Sequence, residues 1–205
     1  MFFDAIKTAD NTEFKHEASG MVFKYSRSSA EDFLSLKLFE KTAAEEVGFA
    51  FVEYRKGRLL DNWSYLEYDN PKYPEGTYGL RSMEVSRPFR NKSLGVLLLF
   101  IAAGEVHINT GTHLYLVNPL TKALGFYIQF GFHPEPRAVE GRREHRLSHL
   151  RPGYHPDADY IFAEKIAMTR NYLVWRGDIN ISLSLLTKKV TSRFSFSNPY
   201  AESEI

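Results

Sequence analysis

Residues 78–132 read strand, loop, helix, strand, helix without interruption, and few architectures accept that order. An apolar strand over 78–85 runs into the polar stretch 87–93. A run from Leu94 to Ile108 follows, with helical length and good helix formers, and Thr110-Gly111-Thr112 breaks it. Residues 113–117 (HLYLV) read as the next strand. Pro119 opens a second helix at its first turn, residues 121–130 continue it, and Gly131 stands where a C-terminal cap belongs. Such alternation is an α/β signature and predicts parallel pairing of two strands across the crossover helix.

The flanks read less evenly. The first twenty residues fit no pattern, and 21–25 (MVFKY) read as a strand. Leu34, Leu36 and Leu38 alternate with Ser35 and Lys37, the period of a half-buried strand. A helix capped by Ser29, with Asp32 three residues on, is the competing reading. A turn at 42–45 and the run 47–52 (VGFAFV) predict its hairpin partner. Residues 69–76 are rich in breakers and form a loop. Beyond the second helix, 135–156 carry Arg137, Arg142, Arg143, Arg146 and Arg151 with little apolar material, and 159–167 return as a strand. Ile179, Ile181, Leu183 and Leu185 alternate with Asn180, Ser182 and Ser184, which predicts a strand after the Gly177-Asp178 turn. The tail from 192 is polar and frays.

Composition trims the possible functions. Lys and Arg number 26 against 25 Asp and Glu, a formal charge of +1. A protein that coats nucleic acid or anionic membrane needs a basic excess, so neither partner is expected. Cysteine is absent, which excludes disulfides, thiolate metal sites and a cysteine nucleophile. The longest apolar run, 96–103, is eight residues, far below the roughly 20 of a membrane span. The N-terminus shows no basic start followed by an apolar stretch, so the expectation is a cytoplasmic protein without a metal.

Chemistry concentrates in 86–95 (SRPFRNKSLG). A helix that starts after a strand leaves its first N–H groups unpaired, and its dipole attracts anions there. Arg90 and Lys92 add positive charge, while Ser93 and Gly95 let a phosphate approach the backbone. An ordinary βα loop with solvated basic residues is the other reading.

The run Val85, Arg90, Asn91, Lys92, Ser93, Leu94, Gly95 resembles the diphosphate loop of the GNAT superfamily of acyl-CoA-dependent N-acetyltransferases. There a strand valine is followed at this spacing by Arg-Gly-x-Gly-x-Gly or Ala, so Asn91 and Ser93 stand in place of glycines. Leu116-Val117-Asn118-Pro119, with Ala123, Tyr127, Gly131 and Phe132, resembles the family's next strand and helix. Leu120 stands where the family usually has an asparagine, and Asn118 is the nearby substitute for that coenzyme contact. The resemblance covers 42–133.

The resemblance implies a GNAT-like α/β (α+β) fold: a mixed, mostly antiparallel central sheet flanked by helices, here with an extra C-terminal strand segment. Residues 1–168 would form this domain. Residues 169–205 would pack on it or exchange with a second copy as a homodimer. The implied activity moves an acetyl group from acetyl-CoA, or another acyl group from its CoA ester, to a primary amine by direct attack. The acceptor would be a small molecule or a peptide. Arg90, Asn91, Lys92, Ser93, Leu94 and Gly95 would hold the diphosphate, and main-chain groups near Glu84 and Val85 the pantetheine and carbonyl. Tyr127 falls where many members place the general acid; a core tyrosine beside Phe126 and Phe130 is the alternative.

Glu84, just before the loop, is the first candidate for general base, against a strand glutamate facing solvent; His113 is the second. The arginine cluster reads either as a lid for an acidic group or as a solvated loop. His145 and His149 share a helical spacing but lack further ligands for a metal. Tyr65, Tyr68, Tyr73 and Tyr78 would form an aromatic wall near the acceptor. Two other functions remain open: a catalytically idle GNAT-like binding module, to which Ser93 and Leu120 point, and a longer-chain acyltransferase.

Overall fold

In the computed structural model, residues 12–30, 32–54, 76–116, 119–134 and 175–196 are described. Nine strands form one sheet: β1 (Glu13–His16), β2 (Val22–Ala30), β3 (Phe33–Glu40), β4 (Glu46–Tyr54), β5 (Thr77–Val85), β6 (His113–Leu116), β7 (His133–Pro134), β8 (Trp175–Asp178) and β9 (Phe194–Ser195). Their order is β7-β8-β6-β5-β4-β3-β2-β1-β9. Every pairing is antiparallel except β5 with β6, which run parallel from Thr77↔His113 to Leu80↔Leu116. The sheet is therefore mixed and mostly antiparallel, with its one parallel pair at the predicted crossover. The leucine alternation of β3 is a strand, not a helix: Leu34, Leu36 and Leu38 are buried and pair along β4.

Helix α1 (Leu94–Ile108) provides that crossover. Twelve of its fifteen residues are buried, including all of 96–106. A helix apolar on every side must be enclosed on every side, and two features of the fold enclose it. The sheet covers one side, through α1 contacts with β3, β4, β5 and β6. Helix α3 (Ile179–Thr191) covers another.

Helix α3 also connects β8 to β9, which lie seven strands apart in the sheet. Seven spacings of a flat sheet would be about 34 Å, whereas thirteen helical residues reach about 20 Å. The sheet accordingly curls around α1, which brings its two edges within the span of α3.

The strand expected over 179–185 is instead the first half of this helix. Asp178 caps α3, its carboxylate accepting from the Ile181 N–H at 3.0 Å. The buried residues are Ile179, Ser182, Leu186 and Val190, a helical spacing, while Ile181 is 57 % exposed. Apolar–polar alternation over seven residues fits both periods, and the cap decides between them. The extra C-terminal strands do exist, but they are β8 and β9 on either side of this helix.

Helix α2 (Thr121–Ile128) ends as expected, with Gly131 at a φ of 82° and the Phe132 N–H bonded back to the Tyr127 carbonyl. Glu105 of α1 is fully buried: it accepts from the Tyr25 hydroxyl at 3.0 Å and pairs with the Arg27 guanidinium at 3.2 Å. It ties α1 to β2. Among the described residues, no helix is long and apolar enough to cross a membrane.

Candidate active site

The parallel ladder stops early. Pairing of β5 with β6 ends at Leu80↔Leu116, yet β5 continues to Val85 along β4. On β4, Val52 pairs with Leu80 and Phe51 with Ser82, so Arg81 is an extra residue, a β-bulge at the point of parting. A bulge bends its strand and re-aims the residues beyond it. Residues 81–85 thus offer one main-chain edge that, among the described residues, no strand covers.

The loop that leaves this edge is held at both ends. The Ser86 N–H bonds the Val47 carbonyl, and Arg87–Phe89 make a 3-10 turn with Phe89 buried beneath it. Arg90 donates from Nε to the Val85 carbonyl at 3.1 Å, and its Nη2 lies 3.4 Å from the Glu84 carboxylate. Next come two left-handed residues, Asn91 (φ 66°) and Ser93 (φ 58°). These are the positions where the resembled pattern has glycine, so the backbone takes the glycine conformation without the glycines.

The N–H groups of Val96 and Leu97 both bond the Ser93 carbonyl, and Ser93 makes no side-chain cap. Among the described residues, the five consecutive N–H groups of Asn91, Lys92, Ser93, Leu94 and Gly95 donate no hydrogen bond. They stand at the positive end of α1. Leu94 is buried by its side chain and has only its amide to offer. The Lys92 ammonium rests 3.3 Å from the Met21 sulfur and 5.2 Å above the Phe89 ring, so its charge lies beside the loop.

The site is positioned by a close approach between sheet and helix. A Cβ at Gly48 would meet the Glu84 carbonyl at 2.7 Å and a Leu98 methyl at 2.9 Å. Only glycine lets α1 sit this low on β4 and β5. Because Gly48 pairs with Val85, the Val85 side chain faces α1 and that of Glu84 points to the opposite face, where it is exposed. Glu84 therefore lies beside the parting, with Arg90 as its cationic neighbour.

Tyr127 comes from α2, whose Phe126 faces Gly95 at the start of α1. Its ring packs edge-on to Phe126 and Phe132, and it is 8 % exposed. Burial pushes its hydroxyl up to about 12, so the phenol stays protonated throughout the neutral range. Among the described residues, that hydroxyl has no hydrogen-bond partner.

Two candidates are displaced. His113 pairs with Thr77 at the start of β5, eight residues before Val85. That is roughly 26 Å along the strand, and the His113 ring bonds Thr112 at 3.0 Å. Tyr78 lies at the same far end, its ring tilted against that of Tyr54 and its hydroxyl on the Asn109 carbonyl, so it builds no wall near the loop. Asn118, the arginine cluster, His145, His149, Tyr65, Tyr68 and Tyr73 fall outside the described residues.

One residue that sequence reasoning passed over belongs to the same region. Trp175 of β8 pairs with Leu116 and so extends the Leu80–Leu116 row where the ladder ends. It is 1 % exposed and its indole Nε1 has no hydrogen-bond partner. Nothing in its sequence neighbourhood marks it, because an orphan donor becomes visible only once its surroundings are known.

No protein-family model and no curated protein matches the chain. Solved structures similar in outline include an acetyltransferase of the GNAT family from Staphylococcus aureus, with a TM-score of 0.40 at 15 % identity over 72 % of this chain and 68 % of that one. The PaiA N-acetyltransferase of Thermoplasma acidophilum, in complex with coenzyme A, gives 0.39 at 13 % identity over 72 % and 61 %. A bacterial toxin gives 0.45 at 17 % identity over 76 % and 72 %. Likenesses this loose do not bear on function.

Proposed function

We propose that this chain is an N-acyltransferase of the GNAT type, which passes an acetyl group from acetyl-CoA directly to a primary amine on a small molecule or peptide. One observation carries the reading: five consecutive undonated amides open α1 where β5 parts from β6. A pyrophosphate offers acceptors and negative charge to that helix end, and the uncovered edge of β5 can pair with the amides of a pantetheine arm.

The reaction needs no enzyme nucleophile. The amine nitrogen attacks the thioester carbonyl carbon, the C–S bond breaks, and the thiolate takes a proton. Tyr127 is the donor for that proton. A phenol pushed up to about 12 is a weak acid, but the burial that raises it also raises a thiolate formed beside it, whose free value is near 8.5. The acceptor arrives as an ammonium and must lose a proton first. Glu84, on the uncovered stretch of β5, is the proposed base, acting through water, with the Arg90 guanidinium beside it. Asn118 remains the proposed additional contact to the coenzyme.

The deciding experiment pairs binding with turnover. Acetyl-CoA should raise the melting temperature, and a panel of polyamines, amino acids, antibiotics and peptide N-termini should include one that releases free thiol. No thermal shift with any acyl-CoA overturns the reading. A second reading, a coenzyme-binding module without catalysis, is favoured by the Glu84–Arg90 contact, which occupies the candidate base. It predicts the same thermal shift and no thiol release from any amine.

A further inference from the structure

Buried donors in proteins are satisfied about nine times in ten, so the orphaned indole of Trp175 calls for an acceptor that comes from outside the described chain. Its place narrows the choice. Trp175 continues the cross-strand row of Leu80 and Leu116, the last paired residues before β5 and β6 part. Two residues on, Gly177 lies on the same strand face, where a Cβ would come within 3.1 Å of the Phe132 ring. Phe132 in turn packs edge-on to Tyr127 with ring centres 5.6 Å apart. Phe132 thus joins Tyr127, whose hydroxyl is unpartnered, to the face of β8 that carries the unpartnered N–H of Trp175, on the β6 side of the parting.

We propose that the Trp175 indole N–H donates to a carbonyl oxygen of the acyl-pantetheine arm, making Trp175 a binding and positioning residue for the acyl donor; this rests on the acyl-CoA reading above. The chemistry separates the possible ligands. An indole donates and never accepts. The ammonium of an acceptor amine offers donors alone and cannot satisfy it, whereas the amide and thioester carbonyls of the arm are acceptors.

The test reads the donor itself. The chain has two tryptophans, so Trp63→Phe identifies the indole resonance of Trp175 in a nitrogen–proton correlation spectrum of labelled protein. Saturating acetyl-CoA should move that proton downfield and slow its exchange. Adenosine diphosphate, which carries the diphosphate without the arm, should bind and leave it in place. Trp175→Phe should weaken acetyl-CoA about five-fold, the loss of one hydrogen bond, and leave adenosine diphosphate unchanged. Calorimetric binding of acetyl-CoA with an unmoved resonance overturns this proposal alone. If the wild type binds no acyl-CoA at all, the coenzyme reading and this proposal fall together.

Discussion

The Nε of Arg90 donates to the carbonyl oxygen of Val85 at 3.1 Å, closing the loop on the strand from which it departs. The same guanidinium reaches Glu84 at 3.4 Å. Both contacts are at the surface, and an exposed ion pair by itself contributes little to stability, about 0–1 kcal/mol. The consequence is geometric: the planar fork fixes where the undonated amides of 91–95 point. Arg90→Glu loses the carbonyl contact, faces Glu84 with like charge, and places an anion beside the diphosphate position. The expected outcome is a fold retained by circular dichroism and a complete loss of the thermal shift with acetyl-CoA.

Tyr127 is tested twice. Tyr127→Phe keeps the ring against Phe126 and Phe132 and removes the proton, so turnover should fall about 100-fold, the usual scale for general acid catalysis. Affinity for acetyl-CoA should stay within about two-fold. Steady-state kinetics beside calorimetry checks both, and full activity in the variant ends the assignment.

The same residue shapes the alkaline limb of stability. Its folded value, about 12, lies above the value of 10.0 expected for an exposed phenol. Below pH 10 both states are protonated and the native state keeps its full advantage. Between about 10 and 12 the unfolded chain ionises first, and stability falls by about 3 kcal/mol. Urea midpoints of wild type and Tyr127→Phe should therefore diverge only above pH 10, the wild type losing more.

How much of this was legible in the sequence depends on which constraint fixes each residue. The limits of α1 could be read because its boundary signals are local: the polar loop before Leu94, and Thr110-Gly111 after Ile108. In the hairpin of β3 and β4, β3 was legible from its period of two, since one of its faces is buried, and β4 from a short apolar run after a turn. Residues 179–185 misled because their alternation, viewed at helical spacing, also groups Ile179, Ser182 and Leu186. The parting of β5 from β6 was not legible at all. It depends on Arg81 as an unpaired extra residue, and register is a property of two strands together. His113 failed as a base for the same reason, because parallel pairing with Thr77 sets it at the far end of β5.

Glu105 offers a test of the core. Its carboxylate is fully buried between Tyr25 and Arg27, two strand residues about 80 positions earlier. Glu105→Ala leaves the Arg27 guanidinium buried without its partner and should cost about 3 kcal/mol. Pairing Glu105→Leu with Arg27→Met removes both charges and should restore much of that loss. Equilibrium urea unfolding of the two variants settles it: if the double variant is no more stable than Glu105→Ala, the pair is not what holds α1 to β2.

Ser93 shows what the missing glycines cost. A side-chain-bearing residue at a φ of 58° is strained by roughly 1–2 kcal/mol, and Ser93 recovers none of this through a capping bond. Ser93→Gly removes the strain but gives the unfolded chain about 0.5–1 kcal/mol of additional freedom. The net expectation is a gain of up to about 1 kcal/mol, read as a higher urea midpoint with an unchanged slope. Ser93→Val tests the opposite limit, since a β-branched residue tolerates the left-handed region worst of all. It should destabilise the fold and turn the Leu94 and Gly95 amides away from their common direction, abolishing the thermal shift with acetyl-CoA. A Ser93→Val protein that binds acetyl-CoA as well as wild type would mean that the left-handed turn does not shape the anion site.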